Sequence, residues 1–215
     1  MMEEEQTLTH ARLKTPRAAA IAGIVFSILF IVSVVLVRIS VPASPQDAGT
    51  WLSGGWKTVR FALHLLPFAG IAFLWFIAVL RDRMETYEDR FFDTVFLGSG
   101  LLFLAMLFAS GALAGGILMI YGTTHKLMES GTYTFGRTVI HHIVNVYAVK
   151  MAGVFMISAC TLSIRTGIFP RWVAFLGYAL ALMLLLSIGY FNWILLVLPL
   201  WVLLVSGYIL LTKPT

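Results

Sequence analysis

Between Ala18 and Val37 the chain runs for twenty residues without one ionisable side chain. As a helix rising ~1.5 Å per residue, such a run is about 30 Å long, the thickness of the hydrocarbon core of a bilayer. Further apolar runs follow at about 58–80, 92–121, 137–162, 172–188 and 193–211. Backbone polar groups in lipid must be satisfied within the segment itself, so these runs predict helices and not loops or open sheet edges. The expected fold is therefore all-α: a polytopic integral membrane bundle of six transmembrane helices. A cytoplasmic tail at 1–17 precedes it and a cytoplasmic end at 212–215 follows it. Charged residues make up 12% of the chain, well under the ~25% usual in soluble domains.

Val41-Pro42-Ala43 resembles the small-residue site that follows a signal peptide. An apolar region of twenty residues is longer than the ~7–15 of such a peptide, so an uncleaved first span is expected. The net charge of +5 does not point to nucleic acid, because the basic residues lie between apolar runs and not in one patch or stripe. They read as orientation signals. With the N-terminus inside, nine Lys and Arg fall on the cytoplasmic side (Arg12, Lys14, Arg17, Arg81, Arg83, Arg90, Arg165, Arg171, Lys213) and five outside (Arg38, Lys57, Arg60, Lys126, Arg137). This asymmetry predicts both termini in the cytoplasm. The single cysteine, Cys160, lies in an apolar run, so no intrachain disulfide and no cysteine-based zinc site is available.

Punctuation between the runs fits this topology. Trp51 and Trp56 stand in a Pro/Gly/Ser-rich external loop, where tryptophan anchors at an interface. Pro67 lies inside the second run and is expected to bend it and free the Leu63 carbonyl beside His64. The loop 81–90 carries three arginines and four acids and should be solvated and cytoplasmic, while 122–136, with His125 and Glu129, should lie outside. Pro170 suits the first residue of the fifth helix, and Gly189–Asn192 a tight turn into the sixth. Ala19, Gly23 and Ser27, and separately Gly111 and Gly115, recur every four residues, which suits close helix packing within the bundle or with a second copy.

The segment TFGRTVIHHIVNVYAVK, 134–150, holds the most unusual chemistry, with Arg137, His141, His142, Asn145, Tyr147 and Lys150 in one otherwise apolar helix. Ionisable groups in hydrocarbon are costly and mark functional positions. The second and fourth runs both pass from outside inward, so Arg60 and His64 come to a depth similar to that of Arg137, His141 and His142. At about 100° per residue, Arg137, His141 and Asn145 fall on one stripe, with His142 at its edge and Tyr147 and Lys150 elsewhere. If that stripe faces the bundle, Arg60, His64, Arg137, His141, His142 and Asn145 form an outer-leaflet polar pocket that binds or passes a small ligand, and an anionic or quinone-like molecule would suit its cationic rim. The same histidines could instead supply axial imidazoles for haem b, His64 from one helix and His141 or His142 from the other. A divalent metal is less well served, because no carboxylate or thiolate stands at that depth. A fourth reading makes these residues mere anchors to lipid phosphates and helix backbones, in a non-catalytic assembly or interaction subunit.

Lys150 lies deeper, and no Asp or Glu shares its depth in any run. Carbonyls released near Pro67 or Pro199, or the Tyr147 hydroxyl, are candidate partners, and snorkelling to an interface is the alternative. No nucleophile, phosphate loop or acid pair of recognisable form appears, so catalysis on a soluble substrate is not expected.

TPRAAAIAGIVFSILFIV at the start, QDAGTW and VRFAL around the second run, SIRTGIFPRWVAFLGYALALMLL and LLVLPLWVLLVSGYIL at the end resemble a group of uncharacterised six-helix bacterial membrane proteins, classified as a domain of unknown function. The resemblance implies a multi-pass bacterial plasma membrane protein without an enzymatic assignment. It transfers no catalytic residue.

Overall fold

A computed structural model describes residues 16–42, 44, 49, 51–84, 90–123, 131–187 and 193–211. The tail expected before Pro16, the tight turn expected at Gly189–Asn192 and the end at 212–215 lie outside the described residues. So do residues 85–89 of the expected 81–90 loop and the His125–Glu129 stretch.

Among the described residues the chain is helical apart from its connections, with no strand. The elements are α1 (Pro16–Ser40), α2 (Leu52–Met84), α3 (Arg90–Thr123), α4 (Gly131–His142), a π-helical turn (Ile143–Ala148), α5 (Val149–Thr166), α6 (Arg171–Leu186), a 3-10 turn (Ile194–Leu196) and α7 (Val197–Leu211). Five stretches are long and apolar enough to cross a membrane: Ala18–Ser40, Leu52–Arg81, Phe91–Gly122, Gly131–Thr166 and Ile194–Leu211. The fifth expected span, 172–188, differs from them. It is α6, at 16 residues about 24 Å long, which falls short of a hydrocarbon core of about 30 Å.

Helix α1 packs along α2 and α7, and α5 packs between α3 and α6. The α1–α2 pair is antiparallel, since Ser33 Oγ donates to the Ala62 carbonyl at 2.9 Å and Phe26 meets Phe73 with ring centroids 4.5 Å apart. Lipid tails are as apolar as leucine, so close packing and not water exclusion has to hold these helices together. An aromatic core does this. Phe73 also touches Phe103 at 5.7 Å and Phe155 at 5.1 Å, and Phe155 stacks on Phe96 at 4.8 Å, which joins α1, α2, α3 and α5. The small-residue stripe on α1 is used within this core. A Cβ at Gly23 would lie 2.0 Å from Ser206 Oγ on α7 and 2.9 Å from the Phe76 ring on α2. Gly111 meets only Leu66, and Gly115 has nothing within 4 Å.

The ends of the helices have separate causes. Gly167 adopts φ 71°, a conformation that costs glycine nothing, and its N–H closes α5 on the Ser163 carbonyl at 2.8 Å. Pro170 is the residue before α6 and not its first turn; its carbonyl accepts the N–H groups of Val173 and Ala174. Arg81 grips Asp93 through a fork of bonds at 2.8–3.1 Å across the α2–α3 end, and Arg165 lies 5.1 Å over the Phe92 ring beside it. Helix α2 continues through Pro67 to Met84. Helix α4 begins six residues before the expected span. Tyr133 is buried against Leu52 and Ile117 and accepts a hydrogen bond from Trp51 Nε1 at 2.9 Å, which fixes this extra turn.

Candidate functional site

At the end of the bundle opposite Arg81 and Asp93, α1, α2, α3 and α4 diverge around a cavity of about 170 Å³. Its floor is apolar, with Phe30, Val34, Leu63, Leu66 and Leu107, and its upper wall carries Arg38, Trp51, Arg137, His141 and Asn145. Leu195, from the 3-10 turn before α7, also reaches it.

Arg137 is positioned by the loop between α1 and α2. Its Nη2 donates to the carbonyls of Pro42 at 2.9 Å and Ser44 at 3.0 Å, while its buried Nε has no hydrogen-bond partner. Arg38 sits one helix away, close enough for the two positive charges to repel, and His141 lies in the field of both. No carboxylate lines the cavity among the described residues. The floor hydroxyls are already engaged: Ser33 donates to Ala62 and Ser110 donates to the Leu107 carbonyl at 2.8 Å. Donors available to an occupant are thus concentrated at the Arg38–Arg137–His141 end.

The π-helical turn lies directly below His141 and His142. In an α-helix the His141 carbonyl would accept the Asn145 N–H, whereas π-helical bonds run from i to i+5. Here the Asn145 side chain supplies a donor, with Nδ2 3.0 Å from the His141 carbonyl oxygen. A side-chain amide that competes for the backbone ladder is a known way to unwind a turn. Asn145 is 5% exposed, so its amide is held at the cavity wall with little freedom.

The expected six-residue site is divided by this geometry. Arg137, His141 and Asn145 share the cavity, as their common stripe implied. Arg60, His64 and His142 are exposed and do not line it. His64 turns its Nδ1 to the Arg60 carbonyl oxygen at 2.7 Å on its own helix, and Leu63 and Leu66 take the inner face instead. The pairing of His64 with His141 or His142 that haem b would require is therefore not the arrangement of these residues. His142 stands edge-on to His141 with ring centroids 6.0 Å apart, on the outer side. No group of three or more His, Cys, Asp or Glu that could hold a metal occurs among the described residues.

Arg38 is the cavity residue that the sequence reading left in an external loop. The sequence carries a signal for its depth and none for its facing: Arg38 stands 21 residues beyond Arg17, as Arg81 stands 21 beyond Arg60.

Lys150 belongs to a different feature. Its Nζ donates to the carbonyls of Leu184 at 3.2 Å, Ser187 at 2.6 Å and Leu185. These are the last carbonyls of α6, which have no partner within their own helix. The carbonyls near Pro67 and Pro199 are thus not its partners, because a helix terminus presents several acceptors and the negative end of the helix dipole together. Tyr147, the other suggested partner, is exposed.

No protein-family model, no curated protein and no solved structure matches this chain, and the site rests on its own residues.

Proposed function

We propose that the chain is a six-span protein of the bacterial plasma membrane, with both termini cytoplasmic, that binds or passes a small ligand in the cavity between α1, α2, α3 and α4. The observation that carries the reading is the gathering of Arg38, Arg137, His141 and Asn145 over an apolar floor, with no carboxylate among the described lining residues.

Charge placement supports the membrane frame. Arg17 to Arg38 on α1 and Arg60 to Arg81 on α2 each span 21 residues, about 32 Å of helix, close to a hydrocarbon core of about 30 Å. One boundary then passes through Arg81, Asp93 and Arg165, and the other through Arg38 and Arg60. The cavity straddles the second, with Phe30, Leu66 and Leu107 below it and Arg38, Arg137 and Trp51 at headgroup level. Exposed Arg60 serves as a lipid-facing anchor at that boundary. Helix α6 counts as a span, the fifth of the six, because Lys150 satisfies the carbonyls that its short length leaves in the membrane.

Two measurements test this. A cysteine replacing Lys57, in a Cys160→Ala background, should react in intact cells with a membrane-impermeant maleimide, and one replacing Lys213 should not; the opposite pattern inverts the topology. Mass spectrometry of a denaturing extract of the purified protein should release a small molecule in near-stoichiometric amount. Ala114→Phe, which fills the cavity from α3, should abolish it. Equal recovery from the variant would refute the cavity as the binding site.

A further inference from the structure

The distribution of donors in the cavity says more about its occupant than its volume does. Ser33 and Ser110 give their protons to backbone carbonyls, so the lower part offers an occupant apolar contact and no free hydroxyl donor. The upper part carries two guanidinium groups and an imidazole, with no acid among the described lining residues. Arg38 makes no salt bridge among the described residues, and the buried Nε of Arg137 lacks an acceptor. A buried guanidinium N–H without a partner is unusual enough to require an explanation, and two like charges held together are relieved by an anion between them. A polyanion would not fit this arrangement, because the floor provides no second cation or free donor.

Resting on the ligand-binding reading above, we propose that the cavity takes a monocarboxylate with a compact apolar body. The carboxylate lies between the guanidinium groups of Arg38 and Arg137, and the body lies on Phe30, Leu66 and Leu107. A dry cavity of about 150 Å³ accepts one benzene ring, so about 170 Å³ sets the body near that size. The same head-and-body chemistry is presented by small aromatic acids arriving from outside and by the carboxyl end of a fatty acid from the outer leaflet. The straddling of the headgroup boundary allows either route.

The full chain in nanodiscs of phosphatidylcholine, titrated calorimetrically with benzoate, benzamide and benzylamine, tests the proposal. Benzoate should bind, with benzamide at least ~10-fold weaker and benzylamine weaker still, since a hydrogen bond to a charged group contributes about tenfold or more in affinity. Arg38→Gln, which breaks no hydrogen bond that holds the fold, should weaken benzoate ~10- to 100-fold and leave benzamide unchanged. Arg137→Gln should do the same if the protein remains folded. Equal binding of benzamide and benzoate would overturn the anion assignment while leaving a ligand cavity in place. Failure of all three to bind wild-type protein, with no change in Ala114→Phe, would overturn the ligand reading itself. Competition of oleate in the nanodisc with benzoate would support the carboxylate assignment and identify an acyl chain as a source; benzoate binding without such competition would support it with a soluble acid as the source.

Discussion

Replacing Lys150 by Met should loosen α6 from its C-terminal end. Lys150 gives a charged donor to Leu184, Leu185 and Ser187, at the terminus where α6 stops after 16 residues. Bonds from a charged group contribute about 1.5–3 kcal/mol each, so the two closer ones amount to about 3–6 kcal/mol before opposing terms. Against this stands the desolvation of the ammonium, several kcal/mol for a fully buried ion and less here, because Lys150 is only partly buried. Methionine matches the length of the stem but leaves the carbonyls without a donor, at about 1–3 kcal/mol for each one shielded from water. The expected net loss is about 2–4 kcal/mol, or roughly 30- to 1,000-fold in the local opening equilibrium. Hydrogen exchange of the purified protein reads this locally. Peptides covering the second half of α6 should lose protection by that factor, peptides from α3 should not, and Lys150→Arg should retain most of the protection. Unchanged exchange at the end of α6 in Lys150→Met would refute the capping argument.

Three further outcomes are expected. Gly23→Leu forces a side chain into the space of Ser206 and Phe76 and should lower stability by about 1–3 kcal/mol or more, seen as a lower melting temperature in detergent; an unshifted melt would mean that α1 and α7 do not meet there. A double-mutant cycle on Arg81 and Asp93, whose side chains are 40% and 30% exposed, should return a coupling of only about 0.5–1 kcal/mol that shrinks with salt, and a coupling that salt does not change would contradict their partial exposure. Trp51→Phe and Tyr133→Phe should each cost about 1 kcal/mol, and the double change little more than either alone, because both remove one hydrogen bond; additive losses would show that the bond is not shared.

The candidate site was legible in part. Arg137, His141 and Asn145 lie four residues apart, and an i, i+4 stripe stays on one face of a helix whatever surrounds it. Arg60 and His64 share the same spacing and the same depth, yet their stripe faces outward. Nothing in the sequence separates the two cases, since α2 is apolar on both faces and Leu63 and Leu66 serve the inner one as readily. The fork between Arg81 and Asp93 joins the two ends of a loop the sequence marked as charged, and its partners were fixed only when α2 and α3 lay side by side.

By itself, the sequence determined that this chain is helical and which runs form its helices, but not their ends: α2 begins at Leu52 and α4 at Gly131, ahead of the expected 58 and 137. Long uncharged runs allow only internally satisfied backbone, and charges spaced by about a membrane's thickness flank the runs. Tertiary structure decided which faces look inward, how Arg38 came to share a cavity with Arg137, and that Lys150 closes α6. Lipid and protein core are equally apolar to a side chain, so periodicity cannot tell one from the other. Only the packing of the aromatic core and the close approach at Gly23 set the rotation of each helix, and with it the chemistry gathered in the cavity.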